Sequence, residues 1–99
     1  MKIISGGVTA PIGFLAAGMH AGVRKNKKKK DMALLVSKRP AKTAGVFTQN
    51  VVKAAPVMWD KALCDDIGLC QALVVNSGVA NACTGEAGDV DVAHMAELA

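Results

Sequence analysis

Ninety-nine residues make at most one domain, and a chain of this size hides only about 60 to 70% of the surface that its unfolded form exposes. The 52% hydrophobic content rests on Ala and Val, with Phe14, Phe47 and Trp59 the only aromatic residues, so any core is thin per residue and favours burial against further chain segments or another subunit. The net charge of +4 invites a nucleic-acid reading, but Arg24, Lys25, Lys27, Lys28, Lys29 and Lys30 hold six of the twelve basic residues, and the rest of the chain carries more acid than base.

Taken in chain order, Phe14–Val23 is small and mostly apolar, and Asp31–Ser37 reads as a strand around Met32, Leu34, Leu35 and Val36. The two are expected to form an antiparallel hairpin with Asn26 and the lysines at its exposed tip, closed by Arg39-Pro40. A third strand is expected over Thr43–Gln49, extended or restarted by Val51 to Lys53 and interrupted by Pro56. Between Asp60 and Leu69 the positions Ala62, Leu63 and Ile67, with Cys70 beyond them, suit a short helix with Asp60 as N-cap and Gly68 at its frayed end. Ala72–Val75 then reads as a buried strand.

That strand empties into a loop of small residues, Asn76 to Gly88, with three glycines and two asparagines, whose backbone can turn through positive φ and present amides to a small partner. Downstream, Val92, Met95, Ala96 and Ala99 fall on one helical face, and Asp89 and Asp91 suit the positive end of the helix dipole. The amphipathic pattern carries no stop signal at Ala99, so the expectation is the N-terminal portion of a larger fold.

On residue chemistry alone no complete active site is visible. Cys64, Cys70 and Cys83 form no CxxC pair, which argues against a zinc ribbon or a disulfide framework and for reduced thiols in a cytosolic compartment. No apolar run approaches the roughly twenty residues of a membrane helix. Cys83 with His20 or His94 would supply a thiolate and base, but Cys83 among alanines reads as a packing residue, His20 as a satisfied core or strand-edge histidine, and His94 as solvent-exposed. The glycine-rich loop lacks P-loop and dinucleotide spacings, and Glu86 and Asp89 would repel an anion there. Asp65 and Asp66 are helix-terminal charges rather than an acid/base pair.

Three ordered segments carry a resemblance. Val8–Gly22, with Ala16-Ala17-Gly18-Met19-His20-Ala21-Gly22, then Ala44–Val57, with Val46-Phe47-Thr48-Gln49-Asn50, then Val75–Gly85, with Asn76-Ser77-Gly78, together resemble the N-terminal part of the glutamate N-acetyltransferase/ornithine acetyltransferase family of arginine biosynthesis. Val79 departs from the family's common asparagine, which removes a polar group from that loop position.

The resemblance implies an α/β fold: residues 1–99 as a single partial domain, the opening of a layered α-β-β-α architecture with mixed or antiparallel strands and a C-terminal helix. It implies a cytoplasmic, multifunctional enzyme that moves an acetyl group from N-acetylornithine to glutamate, with acetyl-CoA an acetyl donor for some members, without metal or organic cofactor. Members cleave themselves before a threonine into α and β chains that assemble as α2β2, and the freed threonine forms an acetyl-threonine intermediate. That nucleophile and the Thr-Gly oxyanion element fall beyond Ala99, and Thr84-Gly85 is a different Thr-Gly. Within the chain, Asn76, Asn81 and Thr84 are placed near the substrate cleft, or satisfy backbone groups in a tight connection. The isolated chain is expected to be inactive, and its partners are the remainder of the α chain and the β chain. Two competing classes stay open: a non-enzymatic interaction domain, and a nucleic-acid binder through Arg24 to Lys30, which steep salt dependence would reveal.

Overall fold

The expected hairpin forms with six paired residues on each strand. In the computed structural model, which describes residues 1–99, β1 (Phe14–Met19) runs antiparallel to β2 (Met32–Lys42), with Phe14 opposite Ser37 and Met19 opposite Met32. After α1 (Ala55–Asp66), β3 (Leu69–Asn76) joins the other side of β2, giving the sheet order β1-β2-β3. Ser77 N–H donates to the Asp31 carbonyl at the start of β2, and Thr43 N–H donates to the Gly68 carbonyl beyond its end, which makes this pair antiparallel too. Helix α2 (Gly85–Leu98) completes the chain. The expectation of an α/β chain with antiparallel strands and a C-terminal helix holds.

The chain divides into two units, one of residues 1–41 and 70–78, which holds the sheet, and one of 42–69 and 79–99, which holds the helices. In the first, the register puts Leu15, Met19, Met32, Leu34 and Val36 on one face of the sheet and Phe14 and Leu35 on the other. A strand apolar on both faces is the pattern of a sheet meant to be covered on both. Here cover is incomplete: Leu73 and Val75 of β3 are 46% and 49% exposed, which corrects the expectation of a buried strand over Ala72–Val75. No apolar side chain of either unit is buried.

Three other expectations are corrected. Pro40 does not close the hairpin but lies inside β2. Lys38 N–H points toward β1 and donates to the Gly13 carbonyl; two residues on, the Pro40 nitrogen faces the same side, past the end of β1's pairing, where no donor is required. Thr43–Gln49 is not a strand. Both neighbours of β2 are already taken, and beyond the Thr43 bond to Gly68 the segment turns back on itself: the Phe47 ring folds back over Gly45, Asn50 N–H donates to Thr48 Oγ1, and Val52 N–H to Asn50 Oδ1.

The first helix, in turn, starts at Ala55 rather than near Asp60. Pro56 initiates it, because a proline in the first turn lacks only an N–H that has no helical partner there. Asp60 therefore sits in mid-helix and caps nothing. Gly68, at φ +62°, ends the turn as expected, with its N–H on the Leu63 carbonyl. No helix is long and apolar enough to cross a membrane.

Candidate functional site

In the helical unit, α1 and α2 pack against each other, with Gly88 of α2 close to Ala55 of α1. A side chain at Gly88, the one buried residue of α2, would run into Thr84 Oγ1 and would lie 2.6 Å from Thr84 Cβ and 3.7 Å from Ala55 Cβ. Thr84 stands at the N-cap of α2, but its hydroxyl caps no amide. Cys83, just before it, takes φ 59°, a left-handed conformation unusual for a residue with a side chain.

Beside this crossing lies a hollow of about 360 Å³. Val51, Val52 and Met58 give it an apolar wall, Lys53 and Asp89 contribute one charge of each sign, and Cys83, Thr84 and Gly85 form its small-residue side. Of the three residues expected beside a cleft, Thr84 lines this hollow. Asn81 lies in the same unit and Asn76 at the end of β3 in the sheet unit; neither lines the hollow, and each is held by an interaction. The arrangement offers apolar contact and two opposite charges to a small molecule, but no nucleophile-base pair. The Cys83 thiol is exposed, not packed, and no histidine lines the hollow. His94 is solvent-exposed, as expected. No three His, Cys, Asp or Glu side chains converge where a metal ion could be held.

In the sheet unit, sequence reasoning missed Asp31. It opens the expected strand Asp31–Ser37, directly after the lysines and with no partner marked in the sequence, and it is 2% exposed. Its Oδ1 accepts the Ala21 N–H at 2.6 Å, its Oδ2 accepts the Arg24 N–H at 2.8 Å, and His20 Nδ1 lies 3.0 Å from Oδ2. The two amide bonds, from Ala21 first and then Arg24, hold its carboxyl below the usual 3.8; burial opposes them, and His20 adds to them. His20 Nδ1 also lies 3.2 Å from the Lys29 carbonyl, so it is a satisfied strand-edge histidine.

Arg24 is likewise not a tip residue. Its Nε and one terminal nitrogen both lie 3.3 Å from Ser77 Oγ, which removes it from the basic patch. Asn26 makes the turn as expected, accepting the Lys28 N–H on Oδ1 and the Lys29 N–H on its carbonyl, and Lys25, Lys27, Lys28, Lys29 and Lys30 stay exposed.

Comparison with known proteins places these units. The ArgJ family model matches residues 15–99. Among curated relatives, the arginine biosynthesis bifunctional protein ArgJ of Symbiobacterium thermophilum is 54% identical over all of this chain and 25% of its own length, and that of Staphylococcus epidermidis is 50% identical over all of this chain and 24% of its own. Among solved structures, ArgJ of Bacillus halodurans matches with a TM-score of 0.87 at 42% identity over 94% of this chain and 48% of that one. The ornithine acetyltransferase of Mycobacterium tuberculosis complexed with ornithine matches with a TM-score of 0.84 at 48% identity over 91% and 46%. The chain spans about a quarter of the length of the curated relatives it matches. With the family model matching nearly all of it and identity of half or more across its whole length, the chain belongs to the ArgJ family.

Proposed function

We propose that residues 1–99 form the N-terminal part of the α chain of a bifunctional arginine-biosynthesis acetyltransferase, within a larger domain, and that they serve as its scaffold. The enzyme moves an acetyl group from N-acetylornithine to glutamate, with acetyl-CoA as a second donor, through an acetyl-threonine intermediate on a residue outside these 99. A self-cleaved α2β2 assembly in the cytoplasm is part of the same reading. Asn76, Asn81 and Thr84 stand beside its cleft, and Thr84 brings the hollow with Lys53 and Asp89 to that edge.

The observation that carries the reading is the 54% identity to a bifunctional ArgJ protein across every residue of the chain. A physical argument supports it: no apolar side chain of either unit is buried. Ile3, Ile12, Val46 and Val51 stand almost wholly in solvent, so apolar area is left for further polypeptide to cover. The test is a chimera in which residues 1–99 replace the matching part of the Symbiobacterium thermophilum relative. Acetyl transfer from N-acetylornithine to glutamate at near the relative's rate supports the scaffold role; a folded but inactive chimera refutes it.

A further inference from the structure

Asp31 is buried, charged and unused by any chemistry described so far, and everything around it points toward one turn. Its two carboxylate oxygens take the amides of Ala21 and Arg24, which bends the first residues of the 20–31 connection around it. That bend sends the Arg24 side chain across Gly78 to Ser77 Oγ. Gly78 has φ +108°, and a Cβ there would lie 2.5 Å from Arg24 Cγ, a stem atom with little freedom to move aside. Buried carboxylate, loop amides, guanidinium, hydroxyl and glycine thus form one continuous chain of contacts.

We infer that Asp31 is a positioning residue: by folding the basic loop around its carboxylate it delivers Arg24 to Ser77 and so fixes the Asn76–Gly78 turn at the exit of β3. The role has a direction. Asp31 shapes the backbone from which Arg24 projects, whereas the Ser77 hydroxyl only receives the far end of Arg24. The Ser77 N–H bond to the Asp31 carbonyl, 2.8 Å, is made by the main chain and involves neither side chain. Besides Asp31, the titratable or charged side chains of the network are His20 just after β1 and Arg24; the Lys25 and Lys27 to Lys30 side chains of the connection are exposed, and the β3 side contributes only uncharged Ser77. The inference stands whether or not the acetyl-transfer reading does, because its readout is local order and not turnover.

Hydrogen exchange of the folded chimera, followed for peptides covering residues 20–25, 76–79 and α1, tests it. Asp31→Asn is expected to accelerate exchange about tenfold or more in both 20–25 and 76–79 while α1 is unchanged, since a charge-assisted acceptor for two amides is lost. Ser77→Ala is expected to accelerate 76–79 alone, and Gly78→Ala, which displaces Arg24 without touching Asp31, is expected to do the same. Three results overturn the inference: unprotected amides at Ala21 and Arg24 in the parent, acceleration by Asp31→Asn confined to 20–25, or acceleration spread equally over α1. Should Asp31→Asn fail to fold, Arg24→Ala decides the matter, expected to loosen 76–79 while leaving the Ala21 amide protected; unchanged exchange in 76–79 then overturns it.

Discussion

The sheet unit and the helical unit solve the same shortage of buried apolar area in different ways. The sheet unit is tied at one end by charge: a buried carboxylate gathers two amides and a histidine, and an arginine reaches a serine on β3. In the helical unit α1 packs against α2, and the bare Gly88 leaves room for the Thr84 side chain at the N-cap of the same helix. Polar clamps hold a loop in one shape without a core, whereas the first turn of α2 keeps its shape only while position 88 carries no side chain. The first should therefore respond to pH and the second to a single methyl group.

The largest effect is expected at that methyl group. Helix propensity alone makes Gly88→Ala stabilising by about 1 kcal/mol, but the new Cβ meets Thr84 Cβ at 2.6 Å, and overpacking of this kind costs about 1–3 kcal/mol. Urea unfolding of the chimera is expected to show a loss of stability; a gain would mean that the Thr84 side chain moves aside for the new methyl.

On the sheet side, the Asp31 carboxyl is held below its ordinary 3.8, so the stability it contributes is complete above that value and lost as the pH falls through the lowered folded value. Unfolding midpoints measured from pH 5 downward should fall steeply for the parent below about pH 4. Asp31→Asn should start lower and lack that part of the slope. Equal slopes in the two proteins would remove the carboxylate from the account.

Cys83 sharpens the comparison from the loop before α2. Its left-handed φ of 59° suits glycine, so Cys83→Gly is expected to be neutral or to stabilise by about 1 kcal/mol or less in the same urea assay. A clear loss would show that the thiol packs. The smallest effect belongs to the exposed Lys61–Asp65 pair on α1, where Lys61→Ala should cost about 0.3–0.5 kcal/mol and less in high salt.

Periodicity and turn chemistry made much of this fold legible. Met32, Leu34 and Val36 opposite a small apolar strand, with Asn26 and lysines between, led to the hairpin, and the spacing of Val92 and Met95 led to α2. What stayed hidden depended on neighbours. The strand propensity of Val46-Phe47-Thr48 is real, but β2 has no free side to receive it. Pro40 reads as a stop unless it is known that β1's pairing has already ended, and Pro56 reads as a breaker unless the residues after it are seen to continue as a helix. Thr84 stood out from its place in a small-residue loop, and it lines the hollow. Lys53 and the valines beside it gave no such signal, because nothing local links residues 51–53 to residues 83–89. Asp31 was missed because burial of a charge depends on partners, here Ala21 and Arg24, that no sequence pattern announces.

The central claim is that these residues support acetyl transfer without performing it. Purified residues 1–99 and the chimera, assayed side by side for acetyl transfer from N-acetylornithine to glutamate, test it most directly. The account predicts no turnover from the 99 residues alone and turnover near that of the parent relative from the chimera; measurable transfer by the short chain, or none by a folded chimera, would contradict it.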